Sequence, residues 1–174
     1  MSSVRIRRYA PKHSVPLNEA ALESVAEVGP WLPWCHRGHT LDEAESYIRQ
    51  QRERFDRGEE YSFAIESEDG RLLGGCGLNE LDQNNRRCNL GYWVRSSETG
   101  RGHATQAVLQ LASWAFSHTD LVRLEIVASV ENKPSQRIAE RVMSVREGVL
   151  RRRLLLHGRW HDAVSYSIIR PDVT

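Results

Sequence analysis

The 174-residue chain reads as a mixed α/β fold with helices packed on one central sheet. Three observations predict it. Period-two and helical patterns interleave along the chain, in the order β, α, α, three strands, α, β, α and a terminal hairpin. Residues 88–116, CNLGYWVRSSETGRGHATQAVLQLASWAF, form a strand, a glycine loop and a helix in direct succession. No repeat, low-complexity run or linker interrupts the pattern, so one domain over residues 1–174 is expected.

The opening strand is 4–9, where Val4 and Ile6 alternate with arginines. Helical spacing of Leu17, Ala20, Ala21, Val25 and Val28 predicts a helix over 16–28, stopped by Gly29-Pro30. Trp31-Leu32-Pro33-Trp34 cannot continue it, because proline lacks the amide hydrogen a helix needs. Thr40-Leu41-Asp42-Glu43 is a capping box and starts a second helix, running to about residue 57. Strands at 61–66 and 72–81 flank a hairpin turn at 67–70. Gly74, Gly75 and Gly77 within the second strand imply that a backbone or a ligand approaches closely there. A turn at 82–87 leads into the central strand. Beyond the helix that begins at His103, 123–130 alternates as a strand, 132–142 is a short helix, and 146–156 with 163–169 forms a hairpin turning at His157-Gly158.

The chemistry sits in the central unit. A helix leaves its first amide hydrogens unpaired, and its dipole places partial positive charge there. The main chain from Arg101 to Thr105, through Gly102, His103 and Ala104, is therefore suited to an anion. Gly100 and Gly102 let that chain approach closely, since no Cβ obstructs it.

Thr99-Gly100-Arg101-Gly102-His103-Ala104-Thr105 resembles the pyrophosphate loop of the GCN5-related N-acetyltransferases (GNAT). With Gly91-Tyr92-Trp93-Val94 before it, the chain is similar to the ribosomal-protein N-acetyltransferase (RimJ/RimL-like) branch. Further matches follow in order: Trp31-Leu32-Pro33-Trp34, Asn132-Lys133-Pro134-Ser135, Arg146-Glu147-Gly148-Val149-Leu150, and Gly158-Arg159-Trp160 with Asp162. They span nearly the whole chain. The resemblance implies a mostly antiparallel sheet that splays near Val94, with acetyl-CoA as acetyl donor and direct attack by a primary amine.

By the same resemblance, main-chain groups of Trp93 and Val94 hold the cofactor arm, Asn132 helps hold the cofactor, and Ser135 donates to the departing thiolate. Read from the residues alone, Asn132 is equally an N-cap and Ser135 a first-turn residue. Trp31 and Trp34 form one wall of the acceptor pocket in the family reading, or a plug over the core in the plain one. Glu23, with Glu19 and Glu27, could frame a site for a cationic amine or form a wet helix face.

Three departures from the family pattern stand out. Thr99 replaces a longer Gln or Arg. Asn89 stands where related sequences often carry a glutamate that is a general-base candidate, and an amide cannot take a proton near neutral pH. It can still orient a water. The alternative carboxylates are Glu80 and Asp82 near the end of the neighbouring strand; either is also read as a solvated turn residue, and Glu80 is taken as the candidate. Val142-Met143-Ser144 replaces the family's Leu-Gly-Phe. An enzyme reading and a CoA-binding regulatory module with little turnover both follow, and turnover with a panel of amines separates them.

Composition narrows the remainder. A net charge of +1 with dispersed basic residues argues against a nucleic-acid role, even with the run Arg151-Arg152-Arg153. No apolar stretch approaches a membrane span, so a cytoplasmic protein is expected. Cys35, Cys76 and Cys88 form no CxxC pair, and Cys35-His36-Arg37-Gly38-His39 lacks a second ligand pair, so no metal is expected. The acceptor is expected to be a protein N-terminus or a small-molecule amine. The aromatic loop at Trp31 and Trp34 would also suit a homodimer contact.

Overall fold

The structure, a computed structural model, describes residues 3–171. Seven strands form one sheet: β1 Val4–Arg8, β2 Tyr61–Ser67, β3 Leu72–Asp82, β4 Arg87–Val94, β5 Arg123–Ser129, β6 Val145–Leu156 and β7 Arg159–Ile169. Their order is β1-β2-β3-β4-β5-β7-β6, antiparallel throughout except for β4 and β5. That parallel pair is brief. It joins Arg87↔Arg123, Cys88↔Leu124 and Asn89↔Glu125, after which β5 continues beside β7 while β4 leaves it. The strands therefore part at Leu90, earlier than the expected Val94.

Four helices cover the sheet: α1 Ser14–Glu23, α2 Leu41–Asp56, α3 His103–His118 and α4 Lys133–Arg141. The period-two alternation of β4 divides its side chains between the faces. Cys88 and Leu90 enter the main core with Val108, Leu111 and Ala115 of α3. Trp93 joins a second cluster with Leu17 of α1 and Ala44 and Ile48 of α2.

The first helix is shorter than expected and ends at Glu23 rather than residue 28. Ser24 leaves helical geometry, and its buried Oγ accepts from the Ser96 amide at 3.1 Å. A tertiary bond between residues 72 apart thus competes with the helix. The Thr40 capping box forms as expected, and the last hairpin turns at His157-Gly158, both with positive φ as a type I′ turn requires. Its second strand begins at Arg159, four residues before the expected start.

The glycines of β3 answer to protein neighbours. A Cβ at Gly74 would collide with the Trp93 carbonyl, and one at Gly75 with the Tyr9 hydroxyl and the Trp93 indole nitrogen. Where the family pattern has glycine, Met143 takes φ of +57°. The glycine conformation survives without the glycine, and Ser144 Oγ closes the helix end by donating to the Ala139 carbonyl at 2.7 Å.

Candidate active site

The end of β4 passes through Arg95 and a short 3-10 turn, Ser96–Glu98, into the glycine loop. Gly100 and Gly102 have φ of +75° and +82°, conformations that side chains disfavour. Gly102 is the N-cap of α3 and no side chain caps that helix. Its first intrahelical bond runs from the Gln106 amide to the Gly102 carbonyl. The amides of His103, Ala104 and Thr105 precede it without an intrahelical partner, and all three residues line a cleft.

Val94, the glycine loop and the start of α3 make one wall of this cleft. Pro134, Arg137, Ile138 and Arg141 of α4 make the other. Two arginines one helical turn apart thus face the dipole end of α3. His103 also lines the cleft and is buried, with its Nδ1 left without a hydrogen-bond partner. An uncapped helix start, two guanidinium groups and an orphan imidazole nitrogen fit a diphosphate.

One carboxylate opposes that charge and is neutralised. Glu98 is buried, with Arg71 Nη1 at 2.9 Å, Arg101 Nη1 at 3.2 Å and His103 Nε2 at 3.4 Å. The Arg101 side chain is accordingly turned to Glu98 and does not line the cleft, so only its main chain belongs to the loop.

On the opposite face, Trp34 meets Trp93 edge to face, with centroids 5.1 Å apart. They line an aromatic recess with Tyr47, Leu17, His39 and Glu43. Burial pushes the His39 imidazole below its ordinary pKa, which favours its neutral form. Val94 and Trp93 are adjacent in sequence, so cleft and recess are back to back across β4 where it has left β5. Between Asn89 and Trp93 on this face, a Cβ at Gly91 would meet nothing closer than Asn89 Nδ2 at 4.0 Å.

A model described as an acetyltransferase (GNAT) domain matches residues 3–142. The chain belongs to the GNAT acetyltransferase family. It is similar along its length to YdaF of Bacillus subtilis (strain 168), provisionally named a ribosomal N-acetyltransferase. The two are 32% identical over 172 residues, which is 97% of this chain and 92% of that one. The ribosomal-protein-serine acetyltransferase of Escherichia coli (strain K12) is 25% identical over 167 residues, 96% of this chain and 93% of that one. Among solved structures, Mycobacterium smegmatis RimJ in complex with CoA-disulfide superposes with a TM-score of 0.90 at 27% identity, covering 98% of this chain and 83% of that one. The fold and family expected from the sequence are thus met: this is an N-acetyltransferase of the RimJ/RimL-like branch, a class that moves acetyl from acetyl-CoA to an amine.

Within this GNAT fold the expected site residues divide. Gly100, Gly102, His103, Ala104, Thr105 and Val94 converge on the cleft. The Trp93 side chain turns to the recess, leaving its backbone at the splay. Asn132 caps α4, its Oδ1 accepting from the Ser135 amide at 3.1 Å. Ser135 Oγ lies 3.0 Å from the Tyr92 hydroxyl. Trp34 lines the recess; Trp31 stands half-buried outside it. Glu23 lines neither the cleft nor the recess. Both of its oxygens are taken, one by the Arg95 guanidinium and the other by the Ser97 amide. The two base candidates, Glu80 and Asn89, also line neither cleft nor recess. Glu80 is an exposed bulge residue paired with Arg153 at 3.4 Å, and Asn89 donates to Asn79 Oδ1 at 2.8 Å.

Four contributors went unread in the sequence: Glu98, Arg137, Arg141 and Tyr92. The i, i+4 spacing of the two arginines was a usable signal. The β6–β7 hairpin reaches the segment that follows α1, where His157 Nε2–H donates to the Gly29 carbonyl at 2.8 Å. Among the described residues no helix is long and apolar enough to cross a membrane, and no three His, Cys, Asp or Glu residues converge as a metal site.

Proposed function

We propose that the acceptor is the N-terminal amine of a protein, a ribosomal protein in the first instance, and that it reaches the thioester over Gly91. The observation that carries this reading is the parting of β4 from β5 at Leu90, beside the uncapped start of α3. The amides of His103, Ala104 and Thr105, with Arg137 and Arg141, hold the diphosphate of acetyl-CoA. Free main-chain groups of β4 around Trp93 and Val94 pair with the amide-bearing arm as an added strand would. Asn132 sets the start of α4, and the Ser135 hydroxyl donates to the departing sulfur. The names of the Bacillus and Escherichia relatives support a ribosomal acceptor, which would put the protein at work in the cytoplasm.

Asn89 takes the place of the family's carboxylate without accepting the proton itself. The Asn79–Asn89 amide pair lies on the acceptor face and orients a water through which the amine loses its proton. Trp34 and the recess beside Trp93 receive the acceptor's neighbouring side chain.

The test is thiol release from acetyl-CoA, with mass analysis of a panel of ribosomal N-terminal peptides, polyamines and aminoglycosides. The expected product is a peptide carrying one acetyl group at its α-amine. Acetylation confined to the small amines would overturn the protein acceptor, and CoA binding without any turnover would favour a regulatory module.

A further inference from the structure

The Tyr92 phenol lies 2.9 Å from the Ser135 carbonyl oxygen and 3.0 Å from Ser135 Oγ. Tyr92 is three residues past Asn89↔Glu125, the last β4–β5 pair, so it belongs to the part of β4 that has left β5. Strand alternation places it on the face of Cys88 and Leu90, and Val94, two residues on, lines the cofactor cleft. The contact therefore ties the free part of β4 to the first turn of α4, next to Val94 and Pro134, which line the cleft.

One phenolic proton can point squarely at only one of the two Ser135 oxygens at a time. While Tyr92 donates to the carbonyl, the Ser135 hydroxyl points back at the phenol oxygen and is lost to the cleft. When Tyr92 donates to Oγ instead, the Ser135 proton is released to point elsewhere. We propose that Tyr92 is a positioning residue that aims the Ser135 hydroxyl at the sulfur of the departing CoA. This rests on the acetyl-transfer reading above.

In that step the acceptor nitrogen forms the C–N bond as the C–S bond breaks, and the C–S electron pair stays on sulfur. Ser135 Oγ–H donates a hydrogen bond to the thiolate while Tyr92 Oη–H donates to Oγ. The proton that finally neutralises sulfur is the one lost by the amine, so neither hydroxyl is consumed. Burial holds the Tyr92 phenol up at about 12, which keeps it a protonated donor at neutral pH.

Tyr92→Phe tests this with two readouts. Turnover with acetyl-CoA should fall about tenfold, and much less with an acetyl aryl thioester, whose thiolate leaves without help. In the complex with CoA, the ultraviolet thiolate band should titrate at a higher pH in Tyr92→Phe than in the wild type, a measurement that needs no turnover. Ser135→Ala should reproduce both effects, with Tyr92→Phe adding nothing further. Equal losses with the two donors, or an unmoved thiol titration, overturns the proposal. A wild-type protein that binds CoA and acetylates no amine speaks against the acetyl-transfer reading alone, and the thiol titration still judges the Tyr92–Ser135 pair.

Discussion

Glu23 at the end of α1 accepts from the Arg95 guanidinium through one oxygen and, at 2.8 Å, from the Ser97 amide through the other. The first helix is thereby fastened to the segment that leads into the glycine loop. Glu23→Ala should lower stability by about 1 kcal/mol, since the pair is partly exposed. It should also weaken acetyl-CoA binding several-fold while the amine KM changes little. Thermal melts and calorimetric titration check the two parts separately.

The same contact predicts a pH response. Hydrogen bonding from Arg95 holds the Glu23 carboxyl down at about 2, and Arg123 does the same for Glu147. Both pKa values are lower in the folded chain than in the unfolded one. Their stabilisation is therefore complete above about pH 4.5 and is lost as pH falls toward 2. Urea midpoints should drop across that window, and Glu23→Gln should flatten part of the drop.

Arg137 and Arg141 face the cleft from α4. Replacing either with Ala should raise the acetyl-CoA dissociation constant several-fold, more at low salt than at high salt, where the charge is screened. A salt-independent loss would mean the arginines act through packing alone.

Met143 holds a left-handed backbone with its side chain 87% exposed. That conformation costs a side-chain residue about 1–2 kcal/mol, part of which glycine returns through its own chain entropy. Met143→Gly should stabilise the fold by about 0.5–1 kcal/mol, read as a raised melting temperature with unchanged turnover.

Gly75→Ala should cost about 1–3 kcal/mol, because the new methyl group meets the Tyr9 hydroxyl and the Trp93 indole. Those groups are fixed by the aromatic cluster, so the strand must move instead. Chemical denaturation of the variant checks the cost.

Local chemistry was legible in the sequence. The glycine loop, the Thr40 capping box and the His157-Gly158 turn depend on residues a few positions apart. What stayed hidden depends on distant partners. Ser24 ends α1 because Ser96 donates to it, Glu23 serves Arg95, and Glu80 pairs with Arg153 across 73 positions. The role of Tyr92 could not be read because alternation gives its face without naming Ser135 as neighbour. Glu98 looked like a turn residue, and only its burial among Arg71, Arg101 and His103 marks it as part of the cofactor loop.

On the function proposed above, main-chain amides at the start of α3 grip the diphosphate of acetyl-CoA. An amide NMR titration of the labelled protein with acetyl-CoA tests it most directly. The resonances of His103, Ala104 and Thr105 should move with the largest amplitudes and saturate with the bound fraction. Saturable binding that leaves those three unmoved would contradict it.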